Sequence, residues 1–249
     1  MADSRTVDTT DIWKCCASDW LVGEDWVACL SDEERVRCEA PVTLRDRKLL
    51  TASAVLKRAV LARYLGIAAK DIHFELGIYG KPRVVGVQNP YDYRFNLSHS
   101  GSVALLAVTR GREVGVDVER VRNVQWSLVA DQMFSPAEQA TVRDASPAER
   151  TEIFFRHWTA REAYLKAIGC GLASPRQTTT LGFQEDRIWV RQCDSQGLVA
   201  WRGLLFSAGD GHQAALVVED RLRADQAPLA VKLLDWGPSA ARSPIEAAV

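Results

Sequence analysis

The chain has 249 residues, 47% hydrophobic and 25% charged, enough to bury a full core as one large domain or two small ones. With 31 basic against 32 acidic residues its formal net charge is −1, which excludes a global field favouring nucleic acid or an anionic membrane; an anionic ligand must be held by a local cluster. Six cysteines, at 15, 16, 29, 38, 170 and 193, form no C-x-x-C pair and only four histidines accompany them, which argues against a zinc site or disulfide framework and for reduced, mostly buried thiols.

The opening MADSRTVDTTDIWKCC has acidic residues and no apolar run of signal-peptide length, and no later stretch reaches a membrane span. A cytoplasmic protein is expected. Ser31, followed by Asp32, Glu33 and Glu34, forms a capping box that predicts a short helix. A longer helix is expected from about Thr43 to Tyr64, ended by Gly66. Its basic residues, Arg45, Arg47, Lys48, Lys57, Arg58 and Arg63, fit either a solvated face or an anion site.

From Ile72 to Val87 the chain reads as extended pieces broken by YGKPRV, where Gly80 and Pro82 turn the chain around Lys81. An apolar run at 103–108, a polar turn at 110–113 and an alternating strand at 114–118 predict a β-hairpin whose open end brings His99 near Glu119. SPAE occurs at 135–138 and again at 146–149, each copy reading as Ser N-cap, Pro at N1 and closing Glu. The second copy is expected to open the helix containing FFRHWTAREAYLKAIGCGL. Beyond the breaker ASPRQ, strands are expected near 181–184, 187–192, 199–207 and 213–219, with turns at DSQG and AGDG and a frayed tail. HQAALVV at 212–218 faintly echoes SVALLAV at 102–108. The pattern is α+β, with two similar lobes meeting near Gly111 to Gly115.

Three places could carry chemistry. On the FFRHW helix, Phe154, Trp158, Leu165 and Ile168 fall on one face and Phe155, Thr159, Glu162 and Lys166 on another. The second face is either a solvated Glu–Lys pair, worth about 0.3 kcal/mol, or a carboxylate and an ammonium aimed at a substrate. In GVDVE, Asp117 and Glu119 project from one strand face and Val116 and Val118 from the other, so the acids face solvent or a cation such as Mg2+. NLSHSG adds Ser98 and His99 in what is either turn chemistry or a ligand contact. G-x-S-x-G, Walker and Rossmann signatures are absent.

YGKPRV, FNLSHSG, GVDVE and WTAREAYLKAIGCGL, in that order, resemble the motif series of the 4′-phosphopantetheinyl transferases, in particular the large monomeric type that activates surfactin synthetase. The resemblance covers roughly residues 25 to 220, and the four motifs together are specific. It implies a pseudo-dimer of two α+β lobes, each an antiparallel sheet packed with helices, with the active site between them. The lobes would span 1–112 on the coenzyme A side and 113–249 with the metal acids and catalytic helix, the tail from about 238 fraying. It further implies transfer of the phosphopantetheine arm of coenzyme A to a serine of an apo acyl or peptidyl carrier protein, a holo-acyl-carrier-protein synthase activity releasing adenosine 3′,5′-bisphosphate. The carrier could serve polyketide, non-ribosomal peptide or fatty acid biosynthesis.

Position by position, the resemblance implies Asp117, Glu119 and Glu162 as Mg2+ ligands, Glu162 also as base for the serine, and Lys166 as neutralising the phosphate. Lys81, Ser98 and His99 would bind coenzyme A, His99 at its 3′-phosphate, with Arg37 and Lys48 nearby. Arg161 departs from the usual Lys before the Glu, and Glu34 falls near a basic position of the relatives. Arg120, Arg122, Val124, Trp126 and Leu128 form either a core-facing helix start or a carrier-protein surface. A non-catalytic coenzyme A or carrier-protein binding module is the alternative, and a metal-dependent phosphodiesterase a third. An internal pseudo-dimer makes a monomer the expected state.

Overall fold

Side-chain caps at Ser31, Thr43 and Ser135 start three of the described helices. In the computed structural model, which describes residues 9–19, 27–170, 179–194, 197–209, 211–220 and 229–237, the chain order is β1 (Thr9–Cys16), α1 (Asp32–Glu39), α2 (Leu44–Leu65), β2 (Phe74–Leu76), β3 (Pro82–Val84), β4 (Tyr93–Ser100), β5 (Val103–Arg110) and β6 (Val114–Arg120). There follow α3 (Trp126–Met133), α4 (Pro136–Asp144), α5 (Arg150–Ile168), β7 (Gly182–Gln184), β8 (Arg187–Asp194), β9 (Gly197–Gly209), β10 (His212–Asp220) and β11 (Ala230–Asp235). The expected breaker ASPRQ, the middle of the DSQG turn, Asp210 of AGDG and the frayed tail from 238 lie outside the described residues.

Ser31 and Glu34 form the predicted capping box of α1, Thr43 caps α2 through the Asp46 N–H, and Gly66 ends α2 at φ 69°. Ser135 and Glu138 box the start of α4 with Pro136 in its first turn. The second SPAE copy behaves differently. The Ser146 hydroxyl accepts the Glu149 N–H at 3.3 Å but captures the Glu149 carboxylate itself at 2.5 Å, so the segment is a turn and α5 begins only at Arg150.

The expected hairpin of β5 and β6 does not form. β5 pairs with β4 on one side and β1 on the other, in a four-stranded sheet of order β11-β1-β5-β4. β6 pairs with β10 in a five-stranded sheet of order β6-β10-β9-β8-β7. The reason is burial: β5 is apolar on both faces and buried from Val103 to Thr109, so it needs a neighbour on each edge. The chain changes sheets in the turn at Gly111, where φ is 66° and the Thr109 hydroxyl donates to the Arg112 carbonyl at 2.6 Å. The true hairpin joins β4 to β5 through Gly101, at φ 63°. β11 returns to lie parallel to β1, so residues 230–235 complete the first sheet.

Alternation along β5 and β10 builds the layers. Leu106 and Val108 face α2 with Val55, Leu56, Leu61 and Phe95. Leu105 and Ala107 face the second sheet, meeting Val116, Val118, Ala214 and Leu216. Ala215 and Val217, on the far side of β10, pack under α5 with Phe154, Ala163 and Tyr164. The order is helix, sheet, sheet, helix, an α+β architecture in which β5 and β10 hold equivalent central places. Each leucine buried there contributes roughly 2 kcal/mol.

α5 is more deeply buried than its two-faced pattern predicts. Phe155 and Thr159, which the spacing puts on the face of Glu162 and Lys166, are 2% and 0% exposed, because the helix lies on β6 and β10. Among the described side chains, Cys15, Cys16, Cys29, Cys38 and Cys170 are free thiols. No helix among the described residues is long and apolar enough to cross a membrane.

Candidate active site

The two sheets meet edge to edge where the candidate residues lie. β4 and β6 are facing edge strands, and polar side chains of β4 replace the missing backbone ladder. The Val116 N–H donates to Asn96 Oδ1 at 2.9 Å, the Val118 N–H to Ser98 Oγ at 3.4 Å and the Arg120 N–H to Ser100 Oγ at 3.1 Å. Every second residue of FNLSHS thus satisfies one N–H on β6 that no neighbouring strand reaches.

The same hydroxyls hold the acids. Ser98 Oγ donates to Asp117 Oδ1 at 2.9 Å and Ser100 Oγ to Glu119 Oε2 at 2.8 Å. Helix α5 closes over them because position 115 is glycine: a Cβ there would stand 1.9 Å from the Ala163 carbonyl oxygen. From α5, Lys166 Nζ donates to Asp117 Oδ1 at 2.6 Å and to Ser98 Oγ at 2.8 Å, while Trp158 Nε1 donates to Glu119 Oε1 at 3.4 Å. Glu162 stands one helical turn from each, on the stripe whose two ends touch the two acids.

The acid face of β6 is therefore no solvent face: Asp117 is 3% exposed. Its Oδ1 is shared by Ser98 and Lys166, and its Oδ2 is buried with no hydrogen-bond partner. Burial, helped by the charge of Glu119, pushes the Asp117 pKa up to about 6 against the opposing pull of Lys166 and Ser98. Among the described residues, no three His, Cys, Asp or Glu side chains form a ready-made metal-binding group. In the free chain the cation on Asp117 is an ammonium.

The remaining candidates are placed as follows. Lys81 gives its three N–H bonds to Glu113 Oε2 at 2.8 Å, the Val114 carbonyl at 3.0 Å and the Ala167 carbonyl at 2.9 Å. In the free chain that ammonium ties the β2–β3 turn to the start of β6 and the end of α5. Ser98 is likewise saturated, by Asp117, Lys166 and the Val118 N–H. His99 is exposed on β4, and partial desolvation together with the Lys166 ammonium holds its pKa below the ordinary histidine value. Arg37 is exposed on α1 and Lys48 half-buried on α2. Between those helices, Glu34 accepts from Lys57 at 2.8 Å and from Arg58, so part of the basic helix is neutralised internally.

Arg161 is fully buried, bonded to Glu138 and, at 2.9 Å, to the Thr179 carbonyl, so it clamps α4 and the β7 approach to α5. In the 120–134 stretch, Val124 and Trp126 pack on the core beneath α5, with the Arg150 guanidinium 5.3 Å from the Trp126 ring centroid. Leu128, Arg120 and Arg122 are exposed. Sequence reasoning missed Asn96, Ser100 and the reach of Trp158 to Glu119. The period-two polar pattern of FNLSHS was the available signal for the first two.

The family model described as 4′-phosphopantetheinyl transferase, N-terminal, matches residues 11–111, and the one described as the 4′-phosphopantetheinyl transferase superfamily matches 113–217. Similar curated proteins include the 4′-phosphopantetheinyl transferase HetI of Nostoc sp., 35% identical over 151 residues, which are 60% of this chain and 64% of that protein. The 4′-phosphopantetheinyl transferase Sfp of Bacillus subtilis is 27% identical over 163 residues, 66% of this chain and 70% of that protein. The L-aminoadipate-semialdehyde dehydrogenase-phosphopantetheinyl transferase of Xenopus laevis is 31% identical over 169 residues, 64% of this chain and 55% of that protein. The chain thus spans just under two thirds of the length of HetI. Two family models that abut near Arg112 and together run from 11 to 217, with the acid-bearing strand and its covering helix inside the second, assign the chain to the 4′-phosphopantetheinyl transferase superfamily.

Proposed function

We propose that this chain transfers the 4′-phosphopantetheine arm of coenzyme A to a serine of an apo carrier protein. The observation that carries this reading is the position of Asp117 and Glu119, side by side on β6 under the Trp158–Glu162–Lys166 stripe of α5. Membership of the superfamily and likeness to HetI and Sfp support it.

What supports a hard divalent cation is Asp117 Oδ2, a buried carboxylate oxygen with no hydrogen-bond partner, with the carboxylates of Glu119 on the same strand and Glu162 on the abutting helix as the further oxygen donors. Asp117, Glu119 and Glu162 would hold Mg2+, which when bound supplies Lewis-acid stabilisation of the pyrophosphate. Glu162, directly or through water, takes the proton as the serine oxygen bonds to the β-phosphorus. The bond from that phosphorus to the bridging oxygen breaks, and adenosine 3′,5′-bisphosphate leaves. Lys166 balances phosphate charge, and rigid placement of these groups by α5 supplies alignment, the main demand of phosphoryl transfer.

His99 reaches solvent beside Lys166 and would meet the 3′-phosphate, with Arg37 and Lys48 as further basic contacts. Lys81 and Ser98 would act on coenzyme A through the frame they hold together. Exposed Leu128 with Arg120 and Arg122, over Val124 and Trp126, would receive an acidic carrier-protein helix. A cytoplasmic monomer is the state that goes with two lobes in one chain.

The test is incubation with coenzyme A, Mg2+ and a panel of apo acyl and peptidyl carrier proteins, each then weighed by mass spectrometry. A phosphopantetheine mass gain on a carrier, abolished in folded Asp117→Ala and Glu162→Ala, is expected. Carrier binding with no mass gain for any member of the panel would replace the transferase by a binding module.

A further inference from the structure

Lys166 and Asp117 are unequal partners. Asp117 is fixed: its side chain is 5% exposed and its strand is pinned to β4 through Asn96, Ser98 and Ser100. Lys166 is not: its side chain is 30% exposed, stands in the last turn of α5 and ends in a compact charge on a four-carbon stem. A buried carboxylate beside a second acid needs a cation, and in this structure Lys166 Nζ, 2.6 Å from Oδ1, is that cation. Oδ2 of the same carboxylate is the atom left without a partner. A divalent ion bound there would share one carboxylate with an ammonium, and the like charges would repel.

We propose that Lys166 is the resident counter-ion of Asp117 in the free protein and exchanges Asp117 for a ligand phosphate when a divalent cation loads. This rests on the transferase reading of the site and adds a consequence to it. One ammonium serves two anions in turn, so ion binding and phosphate binding are coupled: the phosphate gives Lys166 a new partner and thereby removes the competitor for Asp117. Ser98 supports both states, since its hydroxyl bonds Asp117 whether or not the ammonium is present.

The probe is Mn2+, followed by the electron paramagnetic resonance of the free ion, with the full chain, first alone and then with coenzyme A. Lys166→Met is expected to bind Mn2+ about tenfold more tightly than wild type or better, and Lys166→Arg, which keeps the charge, to remain near wild type. Lys166→Gln is a second neutral variant, and circular dichroism checks that each is folded. Coenzyme A should tighten Mn2+ binding by a larger factor in wild type than in Lys166→Met. Equal Mn2+ affinity of wild type and both neutral variants, or an equal effect of coenzyme A on all of them, would overturn the exchange. Undiminished Mn2+ binding by Asp117→Asn would also overturn it, by moving the ion elsewhere. Carrier modification by wild type is scored separately, so the transferase reading can stand while the exchange falls.

Discussion

Ser100 and Glu119 are joined by a hydroxyl that serves two purposes: it donates to the Glu119 carboxylate at 2.8 Å and accepts the N–H of Arg120 at 3.1 Å. Two residues earlier on each strand, Ser98 does the same for Asp117 and the Val118 N–H. Joining the sheets and orienting the acids are therefore one set of hydrogen bonds, and a change at β4 acts on both.

Ser98→Ala removes a hydroxyl bonded to Asp117, Lys166 and the Val118 N–H, leaving a buried N–H without its acceptor. A stability loss of about 1–3 kcal/mol is expected. Urea denaturation measures it. A loss of the same size is expected for Asn96→Ala, whose side chain accepts the Val116 N–H, and an unchanged midpoint for both would show that the ladder holds nothing.

Gly115→Ala should be among the most damaging single changes in the chain. Its Cβ would meet the Ala163 carbonyl at 1.9 Å and the Ala167 nitrogen at 2.4 Å, both backbone atoms unable to step aside. Overpacking of this kind costs roughly 3 kcal/mol or more, and α5 must lift from the acids to relieve it. Thermal unfolding and carrier modification should fall together.

The pKa of Asp117, pushed up to about 6 from 3.8 by burial, carries a definite sign. Between those values the folded chain binds a proton that the unfolded chain does not. Its contribution is thus fully present below the unfolded pKa and lost as pH rises through the folded one. In metal-free buffer, wild type should lose roughly 2 kcal/mol relative to Asp117→Asn between pH 4 and pH 7, at about 1.4 kcal/mol for each tenfold difference in proton affinity between the folded and unfolded chain. Parallel stability curves for the two proteins would contradict this.

His99 should titrate below the ordinary histidine value in an NMR pH series, because partial desolvation and the Lys166 ammonium both disfavour its imidazolium. Lys166→Met should raise it. Adenosine 3′,5′-bisphosphate should raise it as well if the 3′-phosphate stands at His99, the anion favouring the charged ring. A midpoint indifferent to both would place the phosphate elsewhere.

Arg161→Ala strands Glu138, 3% exposed, as a buried charge beside His157 at 4.0 Å. The expected loss is about 3–5 kcal/mol, and pairing the change with Glu138→Gln should recover part of it. A double-mutant cycle by guanidinium denaturation measures the coupling.

Local signals in the sequence were enough to fix the local features. Ser31 and Ser135 begin α1 and α4 because a cap is satisfied within a few residues, and Gly66 ends α2 because only glycine accepts its left-handed conformation readily. The alternation that puts Asp117 and Glu119 on one face of a strand was equally legible, as was the α+β class. Tertiary structure decided the rest, through partners far apart in the chain. Period two predicted a strand at 114–118 but not that its mate would be β10, about a hundred residues on, because pairing depends on which edge remains unfilled once β5 is buried between β1 and β4. That Lys81 meets Glu113 and two carbonyls was likewise not legible, since the fold brings them to it from 32, 33 and 86 residues away. Spacing alone could name the acids and Lys166; that a buried carboxylate must find a cation, and finds it on α5, follows only from the low-dielectric enclosure that the folded chain makes.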